Sequence, residues 1–406
     1  MPPENSSPTP VPIVLLTDPE QRAALAAARA LGTGGWEVHT IGPGRGLAGV
    51  SRFVRGHHTI GSLKATPPSE LLVAFEDVIR RIRADVVIPV TDMASGLLIG
   101  HDARLGVRIA GPSAEAYHRA SDKAGLIAAA QRCGIRTPQQ RVFNAPVPSR
   151  EWEHTDPLFA QPMVVKPARS VVEQQGKALS LSVQFLDAGA SLPEVLAQYP
   201  PEAYPIMVQE RTFGFGVGVF LLRVRGETKL KFGHRRLREK PPAGGVSTYR
   251  EAVDPPPELI ARCEHLLDLL EYDGAAMIEF KQDAVTGDFV LMEINARLWG
   301  SVQLAIDAGL DFPTALAEMA LGMPVSTVTD VRVGTRTVWE LGELDHALAL
   351  LRRSHRELNL SEGVPVGVRA ALRVLFDHRA GDTPEVFRVG DPLPFAAELL
   401  RWFFRR

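Results

Sequence analysis

The stretch GDFVLMEINARLWGS, residues 287–301, begins as a buried strand and then changes character. Its apolar run ends at Met292, after which Glu293, Asn295 and Arg297 follow at every second position. Residues two apart in a strand point to the same face of the sheet. A carboxylate, an amide and a guanidinium therefore line one face, and burying such groups costs several kcal/mol each unless they find partners. The row predicts a bound ligand at this face.

A second strand precedes this row in GAAMIEFKQDAVTGDFVLMEINAR, residues 274–297. If residues 284–288 form the loop between the strands, antiparallel pairing sets Glu279 opposite Glu293, where like charges repel. These two carboxylates and the Asn295 oxygen make an all-oxygen site of the kind that Mg²⁺ prefers, with substrate phosphates as further ligands. The alternative is that arginines neutralise both glutamates, which leaves Asn295 unexplained. The candidate arginines are Arg235, Arg236 and Arg297.

Composition limits the class of protein. A chain of 406 residues predicts two or three domains, and a net charge of -2 gives no electrostatic case for nucleic acid or an anionic membrane. The two cysteines, Cys133 and Cys263, predict packing residues in a reducing cytoplasm rather than a disulfide framework. Residues 1–10 are expected to be a disordered polar lead, and no apolar run reaches the ~18 residues of a membrane span. We expect a cytoplasmic enzyme.

Residues 11–115 alternate short apolar strands with helical segments, which predicts an α/β domain with a parallel, doubly wound sheet. Ligands of such sheets bind outside the carboxyl ends of the strands. Asp18 and Asp92 occupy two such ends, in LLTD and PVTD. Helix capping explains either residue equally well. We expect Asp92 to face a substrate and Asp18 to be the weaker candidate.

Residues 116–325 contain the remaining candidates. Ser121 is expected to cap a helix that carries Lys123, and Lys166 ends the apolar strand PMVVK, from which its ammonium group can reach a cleft; an edge lysine that extends to solvent is the alternative. Three glycines alternate in FGFGVG, residues 213–218, where a ligand or another chain is expected to approach closely. The stretch KLKFGHRRLREKPPAGGVSTYRE, residues 229–251, reads as a mobile basic loop with a turn at Gly244.

The ordered set of lysines, hinge, carboxylates and E-x-N-x-R closely resembles the ATP-grasp superfamily. The resemblance covers roughly residues 10–325 and is greatest to predicted ATP-dependent carboxylate–amine ligases related to carbamoyl-phosphate synthetase and biotin carboxylase subunits. It implies a doubly wound pre-ATP-grasp domain, then a two-lobed α+β ATP-grasp fold, then a small C-terminal extension at 326–406. The residues that carry it are Lys123, Lys166, Gln209, Glu210, Glu279, Glu293, Asn295 and Arg297.

The resemblance also implies roles for these residues. Lys123 and Lys166 contact the phosphates of ATP, and Lys166 and Arg297 are the catalytic candidates. The adenine hinge is formed by Gln209, Glu210, Arg211 and Thr212. The ligands of Mg²⁺, with Mn²⁺ as a possible substitute, are Glu279, Glu293 and Asn295. The candidates for substrate contact are Asp92, Arg236, Gly245 and Arg297.

One departure concerns the phosphate flap, since KPARSVVEQQGKALS, residues 166–180, contains a single glycine, Gly176. Either Ser170, Gly176 and nearby N–H groups hold the phosphates, or the FGFGVG hairpin does. The expected reaction is ADP-forming ligation of a carboxylate to an amine, with both substrates small molecules and a homodimer possible. The alternatives are bicarbonate activation and a non-catalytic ATP-binding regulator. The aromatic C-terminal helix in PLPFAAELLRWFFRR is expected to dock on the core, with partner or membrane-surface contact as the alternative.

Overall fold

A computed structural model describes residues 11–146, 156–168, 171–174, 177–181, 183–188, 190–360 and 363–404. The sequence predictions for the polar lead at 1–10 and for Ser170 and Gly176 lie outside these residues. Within the described ranges, no helix is both long enough and apolar enough to cross a bilayer.

The first sheet is parallel, with strand order β3-β2-β1-β4-β5. Its leading helix is alanine-rich, and this small-residue face packs closely on the sheet, where Ala24 and Ala27 are completely buried. Asp18 and Asp92 lie past the carboxyl ends of two strands, as the doubly wound fold requires. The elements are β1 (Ile13–Thr17), α1 (Arg22–Thr33), β2 (Glu37–Gly42), β3 (Val54–Thr59), α2 (Pro68–Ile82), β4 (Val86–Ile88), α3 (Asp92–Leu98), α4 (Asp102–Leu105) and β5 (Arg108–Ile109).

Two helices then lead into a small antiparallel sheet of order β10-β7-β11-β6, beside which β8 and β9 form a separate pair. The predicted cap at Ser121 is wrong by one residue, because Asp122 accepts the Ala124 N–H at 3.1 Å and Ser121 ends the preceding helix. The elements are α5 (Ala114–Ser121), α6 (Lys123–Arg132), β6 (Gln140–Phe143), β7 (Met163–Pro167), β8 (Val171–Gln174), β9 (Lys177–Ser180), β10 (Gln184–Leu186), α7 (Leu192–Leu196) and β11 (Ile206–Glu210).

The largest sheet, of order β16-β15-β12-β13-β14-β17-β18, forms the floor of the molecule's cleft. One face of this sheet packs on α8 and α6 in a core that includes Cys133 and Cys263. Both cysteines are buried and free, as predicted. Its elements before the C-terminal region are β12 (Gly214–Val224), β13 (Glu227–Lys240), β14 (Val246–Val253), α8 (Pro257–Leu269), β15 (Gly274–Asp283), β16 (Phe289–Asn295), α9 (Val302–Asp307) and α10 (Phe312–Ala320).

The basic stretch at 229–251 is not a mobile loop. It forms most of β13 and β14, two long neighbouring strands in the centre of the sheet. Its bases are neutralised by carboxylates from other elements, and His234 is 1% exposed. The ion pairs are Arg235–Glu251, Arg236–Glu279, Arg238–Glu343 and Lys240–Asp345.

The C-terminal region adds an edge to the large sheet and packs against the first domain. Glu385 is the central contact, because it pairs with Arg22 of α1 and, at 2.6 Å, with the completely buried Arg250 of β14. The elements are β17 (Arg336–Val338), α11 (Glu340–Arg352), α12 (Val368–Phe376), β18 (Thr383–Pro384) and α13 (Leu393–Phe404).

The prediction that α13 docks on the core holds for one face of the helix only. Phe395 packs against the core, and Glu398 accepts a hydrogen bond from Trp339 Nε1 at 2.8 Å. Leu400 and Phe403, predicted to belong to the docked face, are 59% and 62% exposed. The apolar residues of this helix extend around more of its surface than one docking face can cover.

Candidate active site

The row on β16 reaches the cleft through an irregular hairpin. Glu279 pairs directly with Glu293, and residues 284–288 lie between the two strands, both as predicted. Asp283 N–H bonds to Asp288 O at 2.8 Å at the base of this loop, and the register that starts there pairs Phe280 with Leu291, one residue out of step with the glutamate pair. A β-bulge at Met292 takes up the extra residue and restores the opposition of the two glutamates.

Each glutamate of this pair already has a cationic partner. Glu293 accepts from Lys123 Nζ at 3.1 Å. Burial raises the pKa of Glu293, but Lys123 and Lys166 outweigh that effect and lower it to about 2. Glu279 lies 2.7 Å from Arg236. Burial and the neighbouring Glu293 hold the pKa of Glu279 above its usual value although Arg236 acts in the other direction.

Lys166 lies at the end of β7, where the strand meets the cleft. Its side chain is buried, and Nζ lies 3.4 Å from Met292 O. Burial lowers the pKa of this ammonium group to about 8; Glu293 opposes the change and Lys123 adds to it. The group is therefore still a cation at neutral pH, as contact with phosphate oxygens would require.

The predicted hinge joins β11 of the small sheet to β12 of the large one. Gln209 donates through Nε2 to Gln140 Oε1 at 2.8 Å, and the main-chain N–H groups of Glu210 and Arg211 bond to Gln139 O and Pro162 O, each at 3.0 Å. The Arg211 guanidinium lies 4.8 Å from the ring centres of both Phe185 and Phe213 and donates to Asn359 O at 2.6 Å. Its side chain thus ties the hinge to the C-terminal region.

Arg297 is held by a residue of the first domain. Its Nε and Nη2 donate to the two oxygens of Asp92 at 2.8 and 2.9 Å, and Nη2 also donates to Asn295 Oδ1 at 3.0 Å. Burial lowers the pKa of Arg297, but Asp92 raises it further, so the net shift is upward. The geometry places Asp92 behind Arg297 as its orienting partner.

These groups meet in one cleft of about 880 Å³. Glu293 and Arg297 line this cleft; Lys123 contacts Glu293, and Asp92 contacts Arg297. The predicted residues that line the cleft are Lys166, Gln209, Glu210, Arg211, Thr212, Arg236, Gly245, Glu279, Glu293, Asn295 and Arg297.

The cleft also has lining residues that the sequence did not single out. The Arg238 guanidinium lies 4.4 Å from the ring centre of Tyr249, and its buried Nη2 has no hydrogen-bond partner among the residues that the structure describes. Glu239 pairs with Arg236 Nη1 at 2.9 Å and with Lys281 Nζ at 3.4 Å. The regular alternation of a strand does not relate Arg238 to Arg236, because the register of β13 on β14 shifts between them. The other missed residues include Arg22, Trp299, Ser301 and His346.

The alternating glycines of β12 make room for the protein's own side chains. A Cβ at Gly216 would lie 2.6 Å from Arg236 Cδ, and one at Gly218 would lie 2.5 Å from the ring of Phe220. The close approach predicted from the sequence is therefore real, but the approaching groups belong to this chain. Because Gly216 has no side chain, Arg236 of β13 can extend over the intervening strand β12 and contact Glu279 of β15.

The residues present fit a magnesium ion. Glu279, Glu293 and Asn295 offer oxygen atoms as ligands, and cationic side chains hold both glutamates at the cleft. No group of three or more His, Cys, Asp or Glu side chains suited to a metal occurs in the part of the chain that the structure describes. Because Mg²⁺ is usually bound by one or two carboxylates, such a site leaves coordination positions for phosphate oxygens.

The parallel first domain, the two antiparallel sheets and the cleft between them define an ATP-grasp fold. Solved structures confirm this α/β fold class. The biotin carboxylase–beta-gamma-ATP complex from Campylobacter jejuni matches with a TM-score of 0.64 at 16% identity, over 80% of this chain and 74% of that chain. An L-amino acid ligase from Bacillus licheniformis matches with a TM-score of 0.62 at 14% identity, over 81% of this chain and 79% of that one.

A variant of Rhizobium etli pyruvate carboxylase with acetyl coenzyme-A matches with a TM-score of 0.62 at 16% identity over 81% of this chain, which spans 32% of that longer protein. Residues 229–342 match the family model described as ATP-grasp in the biosynthetic pathway with Ter operon. The chain thus has the fold of ATP-grasp proteins, and the resemblance drawn from its sequence is confirmed. No curated protein matches its sequence.

Proposed function

We propose that this protein is an ADP-forming ligase that joins a carboxylate to an amine. The γ-phosphoryl group of ATP passes to a carboxylate oxygen, which gives an acyl phosphate and ADP. The amine nitrogen then attacks the acyl carbon, the C–O bond to phosphate breaks, and the amine loses a proton. The products are an amide, ADP and phosphate.

The observation that supports this proposal is the convergence of Lys166, Arg297 and the Glu279–Glu293 pair in one cleft beside the hinge. Phosphoryl transfer passes through a loose transition state, so catalysis consists mainly of positioning and charge neutralisation. The cleft supplies both without a protein nucleophile. The relatives named above are consistent with this, since one is an amino acid ligase by name.

Each side chain has a role in the proposal. Lys166, together with Lys123, holds phosphate oxygens, and the main chain near Thr212 contacts the base, because the N–H groups of the two preceding residues are bonded elsewhere. Glu279, Glu293 and Asn295 would hold Mg²⁺, which supplies charge neutralisation at the β- and γ-oxygens when bound.

Arg297 holds the reacting carboxylate or the transferred phosphoryl group, because its planar fork suits either. Asp92 is a positioning residue that fixes the orientation of this fork. Arg236 and Gly245 border the same space, since Arg236 Nη1 donates to Gly245 O at 3.0 Å. We assign the carboxylate and amine substrates to this end of the cleft. A cytoplasmic location, a homodimer, use of Mn²⁺ and domain boundaries near residues 115 and 325 stay predictions.

Hydroxylamine trapping tests the proposal. The purified protein is incubated with Mg²⁺-ATP, hydroxylamine and a panel of carboxylates, and both phosphate and hydroxamate are measured. The expected result is phosphate release that depends on one class of carboxylate and is matched by hydroxamate. Phosphate release that rises with bicarbonate alone would instead indicate bicarbonate activation. ATP binding with no ADP under any pairing would indicate a regulator.

A further inference from the structure

The outer face of α13 is apolar and has no cover among the described residues. Leu393, Leu400, Phe403 and Phe404 are 61%, 59%, 62% and 86% exposed. They recur at spacings of seven, three and one residues, which places them along one side of the helix. Val389, 88% exposed, lies four residues before the first residue of the helix. We call these five residues the α13 surface.

The inward face of the helix is already occupied. Phe395 packs on Phe387 with ring centres 5.6 Å apart, Glu398 accepts from Trp339, and Trp402 donates through Nε1 to Asp345 at 2.9 Å. The helix therefore cannot turn its exposed side chains inward without breaking these contacts. The α13 surface is fixed in its outward orientation.

The acidic and basic groups around the α13 surface differ in where they point. The acidic groups nearby point inward: Glu398 bonds to Trp339, and Asp391 accepts from Arg29 Nε at 2.9 Å and from Ser51 Oγ at 2.7 Å. Arg52, whose Nη1 donates to Gly390 O at 3.2 Å, is exposed beside the start of the helix. Arg401 lies on the helix itself, and Arg405 and Arg406 follow in the sequence, so residues 393–406 contain three arginines and one glutamate.

We propose that α13 docks on an anionic lipid surface, with its axis in the plane of the membrane. Exposed leucine and phenylalanine side chains flanked by arginines are typical of helices that lie at the interface between headgroups and acyl chains, and arginines near such a surface are attracted to anionic headgroups. A second copy of the chain is the less favoured occupant, because a symmetric contact would bring the same arginines together.

Vesicle sedimentation of the full chain tests this assignment. The protein is mixed with vesicles of phosphatidylglycerol and phosphatidylcholine in equal parts, or of phosphatidylcholine alone, at low and high salt. The expected result is binding to the anionic vesicles that weakens with salt. The double variant Phe403→Ser with Phe404→Ser should lower the partition coefficient by about tenfold, and Arg401→Glu should lower it mainly at low salt.

The matched control is Val368→Ser with Phe376→Ser on α12, whose side chains are 61% and 80% exposed. It removes one exposed phenylalanine and one exposed valine elsewhere, a somewhat smaller apolar area, and should bind as the unchanged protein does. Failure of the unchanged protein to bind anionic vesicles at low salt would overturn the proposal. The proposal would also be overturned if the α12 control lost as much vesicle binding as the α13 variant. A dimer in analytical ultracentrifugation that only the α13 variant dissociates, without vesicle binding, would identify a second copy as the occupant.

Discussion

The two sides of the Glu279–Glu293 pair differ in the cations that they contact. Glu293 lies among Lys123 and Lys166, which come from the elements assigned to the nucleotide, and its pKa is lowered to about 2. Glu279 contacts Arg236 from the substrate end, and its pKa is raised. The comparison teaches that two glutamates directly opposite each other are not equivalent: two lysines keep the pKa of one low, whereas burial and the neighbouring carboxylate keep the pKa of the other high.

The largest expected effect is that of Glu293→Gln on turnover. The change keeps the size of the side chain but removes the charge that would hold Mg²⁺ and balance the lysines, so turnover should fall by about a thousandfold. ADP release measures it once a substrate pair is known. The control is Glu258→Gln on α8, whose side chain is 76% exposed. Full activity in the Glu293 variant would contradict the proposed site.

Lys166 tests the nucleotide side by its pH dependence. In the protein without nucleotide, the pKa of Lys166 is about 8. Bound phosphates must raise this pKa, so Lys166 takes up a proton when ATP binds above pH 8. ATP affinity should therefore fall by up to about tenfold per pH unit above pH 8. Calorimetry from pH 7 to 9.5 in buffers of different ionisation enthalpy detects the uptake. Lys166→Arg should flatten the profile, whereas Lys64→Arg, on the exposed surface of the first domain, should leave it unchanged.

Asp92→Asn tests whether the substrate end depends on the orientation of Arg297. The amide keeps one of the two hydrogen bonds and removes the charge, so turnover should fall by about tenfold while the dissociation constant for ATP stays the same. Asp18→Asn is the matched control, because Asp18 also follows a strand of the first sheet but bonds to Thr17 and Thr91. An equal effect of both variants on ATP binding would show a general disturbance of the first domain instead.

The smallest effect is expected in the thermal stability of the protein without nucleotide. Glu293 has a lowered pKa in the fold, so its charge stabilises the protein above pH 5 and this contribution is lost as the pH falls toward 2. Glu279 has a raised pKa, so its charge is a net cost at neutral pH. At pH 7, Glu293→Gln should lower Tm by a few degrees, and Glu279→Gln should leave Tm unchanged or raise it. The reverse order in differential scanning fluorimetry would contradict the difference between the two sides.

The sequence was sufficient for the features that depend on local spacing. The period of two in Glu293, Asn295 and Arg297 predicted the polar row, and alternating strands and helices predicted the parallel first sheet. Lys166 was predicted from its place at the end of an apolar strand. These patterns are visible because the residues that cause them are neighbours in the chain.

Features that depend on distant partners were missed. The bases of β13 looked like a loop because their carboxylates come from far along the chain, as Glu343 does for Arg238. Asp92 was expected to face the substrate, but its pairing with Arg297 joins residues 205 positions apart. Gly216 could not be assigned to Arg236 without the register of β12 on β13. A sequence shows which groups need partners but does not specify partners that are remote.

The bulge at Met292 has a consequence for protein engineering. On the tip side of the bulge, the hairpin pairs Phe280 with Leu291, and on the cleft side it pairs Glu279 with Glu293. Deletion of Met292 would remove the extra residue of the bulge, so Glu293 would still lie opposite Glu279, but the strand would lose the bend of the bulge and the carbonyl that lies 3.4 Å from Lys166 Nζ. The tip, in contrast, lies outside the bulge, and Val285 there is 94% exposed. A fluorophore or an affinity tag inserted at the tip should therefore leave the cleft intact.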